Sequence, residues 1–264
     1  MAPSPDRQTR ELIARFRGAR HDPKRAVLEG FHALKHAVRF HARIEDACAS
    51  DRAALEALTR RLAPDVEPAL RELVRFVPPA VFAELAPVPP ETGIIAIARR
   101  PQVDAEAILG TAGPAPVVLL DAPTHLGNLG AVVRVAAAAG AAAVLSTGAQ
   151  DPWHPAALRG AAGLHFALPV ARVDGIPARG PRPLLAIHPE GERLRPEALP
   201  PGAILAFGSE RRGLSEALLA AADRHLALPM RAGVSSLNLA SAVAAVLYVW
   251  VLSGGGFELT RTPD

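Results

Sequence analysis

In the second half of the chain, short apolar runs alternate with segments of helical spacing. The runs have the length of strands and lie at 117–121, 142–146, 184–188, 204–207 and 225–228. Helical spacing is found at 129–139, 215–222 and 237–252. Continuous apolar runs are typical of strands buried on both faces, and the intervening helices supply the cover. The pattern therefore predicts an α/β domain on a parallel sheet, whose strand ends share one edge.

The first half of the chain has a different pattern. Up to about residue 85 helical spacing dominates, with helices predicted over 9–17 and 29–43. A proline-rich stretch then leads to a short apolar strand at 93–98, and residues 99–116 are typical of a linker because Gly and Pro interrupt any regular element. The predicted organisation is an N-terminal domain with its linker over 1–108, a larger α/β domain over 109–258, and a tail over 259–264.

Composition excludes several classes of protein. The 264 residues are 50% hydrophobic and 21% charged, which excludes a chain that is disordered throughout. The single cysteine, Cys48, excludes an intramolecular disulfide, and no Cys or His partners stand at metal-ligand spacing, so no metal site is predicted. The first residues lack the apolar stretch of a secretory signal, and no apolar run has bilayer length. We therefore expect a cytoplasmic protein that is not bound to a membrane.

Positive charge is concentrated at the N-terminus. Residues 1–43 carry ten Lys and Arg against four Asp and Glu, whereas the whole chain has a net charge of only +3. On the helix predicted over 29–43, a stripe of Lys35, Arg39 and Arg43 lies opposite the apolar face. Such a stripe can contact phosphates with salt-dependent affinity, but it is also the ordinary solvated face of a helix.

The first polar motif follows the strand at 117–121. A glycine-containing turn leads into a helix near Asn128, an arrangement that suits an anion at the helix N-terminus. However, Gly127 and Gly130 have neither dinucleotide-fingerprint nor phosphate-loop spacing, so a tight strand-to-helix turn is the simpler interpretation. Arg134 does not fit that interpretation, because a charge in a helix of Ala and Val needs a partner or a function.

The second polar motif follows the strand at 204–207. It begins with Gly208, Ser209 and Glu210 and lacks the pattern of a nucleophile elbow. Ser215, just before the next helical segment, is predicted to be its N-cap. Glu210 therefore stands at the carboxyl end of a strand, where open parallel sheets bind ligands.

The third polar motif follows the strand at 225–228. The loop passes through Met230 and reaches Ser236 and Asn238 at the start of the final, otherwise apolar helix. Ser and Asn at the start of a helix are usually caps. Capping explains the presence of one of these two residues more readily than the presence of both. A parallel sheet would bring all three motifs into one crevice.

Taken together, the three motifs resemble those of the SpoU/TrmH family of SPOUT RNA methyltransferases in sequence, order and spacing. The matching segments are Asn128 to Arg134, Gly208 to Leu214, and Leu228 to Asn238. The resemblance extends into the first half, because 28–33 and 92–98 look like the substrate-binding domain that precedes the catalytic domain in many members. It covers roughly residues 22–252.

The resemblance implies a fold, a cofactor and an assembly. The fold is a mostly parallel C-terminal sheet tied in a trefoil knot, a rare exception among folds, preceded by a smaller α/β domain of the ribosomal protein L30e type. The cofactor is S-adenosylmethionine, and the assembly is a homodimer through the C-terminal domain. The implied cofactor-binding residues are Gly208, Ser209, Leu228, Met230 and Leu237.

The implied reaction is methyl transfer to a ribose 2′-hydroxyl of structured tRNA or rRNA. The catalytic residues carried over are Asn128, Arg134, Glu210, Ser236 and Asn238. A guanidinium stays protonated and is a poor general base. We therefore expect Arg134 to orient a phosphate and to stabilise the developing alkoxide; a transiently neutral arginine acting as the base is the alternative.

Other residues are predicted to contact the RNA. Arg211 stands where the family often has a small residue and is assigned to phosphate contact with Lys35, Arg39 and Arg43. The scarcity of aromatic residues favours recognition of RNA by shape and phosphates over base stacking. His125 and Trp153 are expected near the crevice, and the serine that the family commonly has around 159–163 is absent.

Two other functions are weighed against methyl transfer. A catalytically silent RNA-binding protein with the same fold is disfavoured by the presence of Asn128, Arg134, Glu210 and Asn238. An oxidoreductase with a conventional dinucleotide fold is disfavoured by the missing glycine fingerprint.

Overall fold

The computed structural model describes residues 6–175 and 179–255, and these form two compact units. The first unit contains the chain up to Gln102 together with Trp153–Ala167. The second contains Val103–Pro152 and the chain from Leu168 onwards. The predicted tail over 259–264 lies outside the described residues.

The first unit is built on a four-stranded mixed sheet. Its strands are β1 (Arg25–Glu29), β2 (Ile44–Ala49), β3 (Arg75–Phe76) and β4 (Ile94–Arg99). In the order β1-β4-β2-β3, β4 runs antiparallel to both of its neighbours and β3 runs parallel to β2. The helices of this unit are α1 (Arg7–Ala19), α2 (Phe31–Arg39), α3 (Arg52–Leu62), α4 (Glu67–Leu73), α5 (Pro79–Phe82) and α8 (Pro155–Gly160).

One hydrophobic cluster of the first unit lies between α1 and the sheet. Asp6 caps α1 by accepting a hydrogen bond from Thr9 N at 2.7 Å, and the apolar stripe of that helix buries Phe16 completely. Phe16 belongs to the same cluster as Cys48 on β2. Burial raises the pKa of the Cys48 thiol to about 12, because the surroundings disfavour a thiolate.

Segment Trp153–Ala167 belongs to the first unit, although in the sequence it lies between two strands of the second unit. Its helix α8 packs on β1, where Arg159 is ion-paired with Glu29. The following turn has Gly163 at φ 76°, and a Cβ added there would come within 2.7 Å of the Ala33 Cα. Glycine is therefore required where the segment meets α2.

The helical prediction for the first half is wrong in part. Strands β1 and β2 lie in that region, and they escaped notice because both contain charged residues, Arg25 and Glu29 at the ends of β1 and Glu45 and Asp46 inside β2. The helix predicted over 29–43 is α2, which is shorter because Gly30 has φ 99° and His41 has φ 58°. Both angles lie outside the range of a right-handed helix.

The second unit confirms the predicted parallel sheet. Its six strands pair in the order β10-β8-β9-β5-β6-β7, and every pair is parallel. The strands are β5 (Val117–Leu120), β6 (Ala143–Ser146), β7 (Val170–Arg172), β8 (Leu184–Arg193), β9 (Ile204–Phe207) and β10 (Arg224–Ala227). The helices are α6 (Ala105–Gly110), α7 (Leu126–Ala139), α9 (Glu216–Ala221) and α10 (Leu239–Trp250).

The segment predicted as a linker contains helix α6. Asp104 caps this helix by accepting from Ala107 N at 2.9 Å, and Leu109 is fully buried. Arg182, only 6% exposed, donates to main-chain carbonyls of the adjoining segments. The acceptors are Ile108 O at 3.1 Å, Thr111 O at 3.0 Å, Ala115 O at 3.0 Å and Gly202 O at 2.7 Å. One buried guanidinium thus ties the segment to the sheet.

Two general properties of the described residues bear on function. No helix among them combines the length and the apolarity that a bilayer crossing requires. They also contain no group of three or more His, Cys, Asp or Glu side chains that could hold a metal ion.

Candidate active site

The three polar motifs meet at one cavity of the second unit, at the carboxyl ends of β5, β9 and β10. The cavity has a volume of about 480 Å³. Its lining includes His125, Asn128, His188, Gly208, Ser209, Glu210, Leu228, Met230, Ser236, Leu237 and Asn238. The predicted gathering of strand-end loops in one crevice is therefore observed, and the crevice lies where open parallel sheets bind ligands.

A chain of side-chain hydrogen bonds links the three loops: Asn238 donates to Asn128, and Asn128 donates to Glu210. We call this chain the relay. Glu210 Oε1 accepts from Asn128 Nδ2 at 2.8 Å, and Asn128 Oδ1 accepts from Asn238 Nδ2 at 3.1 Å. Asn238 Oδ1 in turn accepts from Ala240 N at 3.0 Å and Ser241 N at 3.3 Å, capping α10. Asn238 is therefore both a cap and a member of the relay.

Glu210 is held from a second side by Thr124. Glu210 Oε2 accepts from Thr124 N at 3.0 Å and from Thr124 Oγ1 at 2.7 Å. Burial favours the neutral acid, but the hydrogen bonds from Asn128 and Thr124 outweigh burial and lower the pKa of Glu210 to about 2. The cavity therefore contains a carboxylate that is ionised at neutral pH.

The turn from β5 into α7 is shaped by Asp121 and its partners. Asp121 Oδ1 accepts from Thr147 Oγ1 at 3.1 Å, and Asp121 Oδ2 accepts from Ser215 N at 2.7 Å. Thr147 Oγ1 also accepts from Ala122 N at 2.9 Å, which holds Ala122 at φ 47°. An alanine in the left-handed region is strained, and such strain is concentrated in loops that serve a function.

The turn after β9 explains the glycines of the second motif. Ser209 and Gly213 exchange two main-chain hydrogen bonds of 3.0 Å. A Cβ added to Gly208 would lie 2.0 Å from the carbonyl carbon of Gly213. Only glycine fits at position 208, so the fold of the turn accounts for that residue.

Ser215 occupies the predicted N-cap position of α9, but its side chain makes no capping hydrogen bond. The main-chain N–H of Ser215 donates instead to Asp121. Ser236 is exposed and lines the cavity, as do the apolar side chains of Leu228, Met230 and Leu237.

Arg134 lies on α7 but does not line the cavity. Its side chain is exposed and has no polar partner within residues 6–175 and 179–255. Arg211, in the turn after Glu210, is exposed and likewise lacks a polar partner in the described part of the chain. The role predicted for each remains a prediction.

The basic stripe predicted on α2 is not an open stripe. Lys35 is buried, at 9% exposure, and Arg39 donates two hydrogen bonds to Asp65, at 2.6 and 2.7 Å. His36 Nδ1 lies 2.7 Å from the carbonyl oxygen of Ala162. Arg43 is exposed and lies beyond the helix, because α2 ends at Arg39.

Sequence reasoning missed Thr124 and His188. His188 lies on β8, outside the three motifs, and a lone histidine carries no spacing signal. Thr124 lies four positions after the end of β5, within the first motif, but only the loop geometry shows its contact with Glu210. His125 lines the cavity as expected, whereas Trp153 does not: it is buried beside His165 and Phe166 in the first unit.

Comparison with known proteins identifies the family. Residues 115–248 match the model of the SpoU rRNA methylase family, and this match spans all three motifs. The chain therefore belongs to the SpoU family, as the sequence motifs predicted.

Two characterised relatives are similar over much of their length. A 23S rRNA (uridine(2479)-2'-O)-methyltransferase of Streptomyces viridochromogenes is 32% identical over 208 residues, covering 67% of this chain and 69% of that protein. A 23S rRNA (guanosine(2553)-2'-O)-methyltransferase of Bacillus subtilis is 35% identical over 139 residues, covering 50% of this chain and 56% of that protein.

Solved structures resemble nearly the whole chain. An RNA 2'-O ribose methyltransferase has a TM-score of 0.72 at 28% identity, covering 96% of this chain and 98% of that one. The SpoU methyltransferase AviRb of Streptomyces viridochromogenes, solved with AdoMet, has a TM-score of 0.72 at 24% identity, covering 95% and 98%. At that identity, the second likeness concerns the fold alone.

Proposed function

We propose that this protein is an S-adenosylmethionine-dependent methyltransferase acting on a ribose 2′-hydroxyl of structured RNA. The observation that carries the proposal is the cavity in which three strand-end loops join Asn128, Glu210 and Asn238 in one relay. Membership of the SpoU family and the activities of both relatives support the same chemistry. The substrate is tRNA or rRNA, and 23S rRNA is what the two relatives methylate.

The cavity fits S-adenosylmethionine in size, lining and charge. Its volume of about 480 Å³ lies within the range of small-molecule sites, about 300–1,000 Å³. Leu228, Met230 and Leu237 offer apolar surface to the adenine, and Gly208 and Ser209 offer main-chain polar groups. The ionised Glu210 suits a ligand with sulfonium and ammonium charges. When bound, the cofactor supplies the methyl group that is transferred.

In this proposal the relay residues orient the substrate, and Arg134 stabilises negative charge on it. The ribose 2′-oxygen would bond to the methyl carbon as the bond from that carbon to sulfur breaks, the hydroxyl proton would pass to solvent, and a cation close to the oxygen would lower the energy of its developing charge. The guanidinium of Arg134 is unpaired among the described residues, so it is available for the substrate phosphate and the alkoxide. Asn128, Glu210, Ser236 and Asn238 shape the surface against which the ribose is held.

RNA phosphates would contact exposed cations of both units. Arg211 lies in the turn that follows β9, and Arg43 lies at the end of the first unit's sheet, where its carbonyl oxygen accepts from Arg99 N at 2.9 Å. Lys35 and Arg39 are the weaker candidates, since Arg39 is already bound to Asp65. We assign 1–108 to RNA binding and 109–258 to catalysis, apart from the segment Trp153–Ala167, which belongs to the first unit. We place the protein in the cytoplasm, where RNA and cofactor occur.

We further propose the knot and the homodimer that the family resemblance implies. The knot is supported by membership of the SpoU family, and the six-stranded parallel order is compatible with it. The homodimer is supported by exposed apolar side chains on and after α10, Tyr248 at 44% and Leu252 at 84%. Light scattering coupled to size exclusion would measure the mass, and a monomer at micromolar concentration would contradict the dimer.

The first experiment is methyl transfer from labelled S-adenosylmethionine to total RNA from bacteria lacking this activity. We expect label in one RNA size class, recovered as a 2′-O-methyl nucleotide after digestion. Base-methylated nucleotides as the only labelled product would contradict the proposed reaction. Cofactor binding without any label would favour the silent RNA-binding protein, and the absence of both would reject the proposed function.

A further inference from the structure

We infer that Thr124 is a positioning residue that fixes Glu210 for the reaction, an inference that rests on the proposed function. Thr124 gives both its main-chain N–H and its hydroxyl to Glu210 Oε2, at 3.0 and 2.7 Å. Thr124 itself does not line the cavity, whereas Glu210 does. Its effect on a bound substrate therefore passes through the carboxylate.

The relay needs an acceptor at the Glu210 end. At the other end, the N-terminal N–H groups of α10 are donors, so the Asn238 oxygen must face them and its nitrogen must face Asn128. The amide nitrogen of Asn128 then points at Glu210. An ionised carboxylate is a pure acceptor and completes this direction, whereas a carboxylic acid can present a competing donor.

Thr124 keeps that end of the relay in its acceptor form. Hydrogen bonds to the charged form of an acid favour that form, and Thr124 supplies two of them to one oxygen while Asn128 supplies one to the other. Charge-assisted hydrogen bonds are about twice as strong as neutral ones. Both carboxylate oxygens are thus fixed, and the amides of Asn128 and Asn238 are held in one orientation against the cavity.

A purely structural role predicts something different. If Thr124 only stabilised the turn, its hydroxyl would affect the unfolding midpoint and leave the pH dependence of methyl transfer unchanged. If it positions Glu210, removal of the hydroxyl raises the pKa of that carboxyl from about 2 towards its ordinary value. The active form would then be lost on acidification at a higher pH than in the wild type.

The test is the single-turnover methyl-transfer rate from pH 3.5 to 8, measured on the RNA size class that the wild-type protein labels. Thr124→Val removes the hydroxyl and keeps the shape and the main-chain N–H. Thr124→Ser keeps the hydroxyl. Thr111→Val is the matched control, because it removes another exposed threonine hydroxyl of the second unit, bound to Ala107 O at 2.7 Å.

We expect Thr124→Val to lower the rate about tenfold at pH 7, as for loss of one hydrogen bond to a charged group, and to shift the acid limb to higher pH. Thr124→Ser should restore rate and profile, and Thr111→Val should match the wild type. A wild-type rate and profile in Thr124→Val, or failure of Thr124→Ser to restore them, would overturn the inference. If Thr124→Val does not fold, Thr124→Ala replaces it under the same criteria. A wild-type protein that labels no RNA would instead overturn the proposed function.

Discussion

Arginines pair with carboxylates in both units, but the second unit also buries one against main-chain carbonyls. In the first unit, Arg20, Arg25 and Arg39 each donate to a carboxylate, at distances of 2.6–2.7 Å. In the second, Arg182 is buried against four main-chain carbonyls, and Arg134 has no polar partner within the described residues. A basic N-terminus therefore does not by itself indicate the cations that are free to bind RNA, because many of them are already paired.

The largest effect is expected on the labelling rate of Cys48, which reports how accessible the core of the first unit is to solvent and reagents. Its pKa, raised to about 12 by burial, lowers the thiolate fraction at pH 8 about a thousandfold relative to an ordinary thiol. We expect Ellman's reagent to label the native protein at least that much more slowly than the urea-unfolded protein. Because the chain has one cysteine, the assay is unambiguous, and native labelling within tenfold of the unfolded rate would show an open core.

The next effect concerns the unpaired arginine of the second unit. We expect Arg134→Ala to lower the methyl-transfer rate about 10²–10³-fold, the usual cost of removing a group that stabilises a developing oxyanion. Cofactor affinity, measured by calorimetry, should stay within twofold of the wild type. The matched control is Arg60→Ala on an exposed face of the first unit, and equal rates in the two variants would reject the role proposed for Arg134.

The buried arginine should affect stability. We expect Arg182→Met to lower the free energy of unfolding by about 2–4 kcal/mol, because buried carbonyls lose their donor. The chain has one described tryptophan in each unit, so Trp250 in a Trp153→Phe background reports on the second unit. The control is the exposed Arg193→Met, and equal midpoints in urea for the two methionine variants would contradict the interpretation.

The smallest effect is expected for a paired surface arginine. Arg39→Ala removes the two hydrogen bonds to Asp65, but exposed pairs contribute only about 0.2–1 kcal/mol. We expect the free energy of unfolding of the first unit to fall by that amount. It would be measured from Trp153 fluorescence in a Trp250→Phe background. RNA affinity in a filter-binding assay should change less than in Arg43→Ala, and the reverse order would mean that Arg39 leaves Asp65 to bind RNA.

The sheet of the second unit could be predicted from sequence because β5, β6 and β9 are buried along their whole length. The runs predicted at 117–121 and 204–207 correspond to β5 and β9, and the polar residues after them meet at the predicted edge. In the first unit, β2 mixes Glu45 and Asp46 with apolar residues, since carboxylates on that strand pair with arginines. This mixing hides a strand from a search for apolar runs.

The residues that line the candidate site were predicted more completely than the residues that hold them in place. Asn128, Glu210 and Asn238 come together as expected, and the family motifs were the signal that found them. Thr124 and Asp121 act through hydrogen bonds to residues 86 and 94 positions away. Contacts at that separation depend on how the loops fold, and no local pattern in one sequence specifies them.

The position of α8 in the chain has a consequence for synthesis. The sheet of the first unit ends at Arg99, but β1 and α2 acquire α8 and its following turn only from Trp153–Ala167. A ribosome must therefore translate β5 and β6 before the first unit has all of its parts. Until Arg159 emerges, Glu29 lacks that partner, so the first unit cannot be completed when its own sheet is, although it receives its last segment before the second unit does.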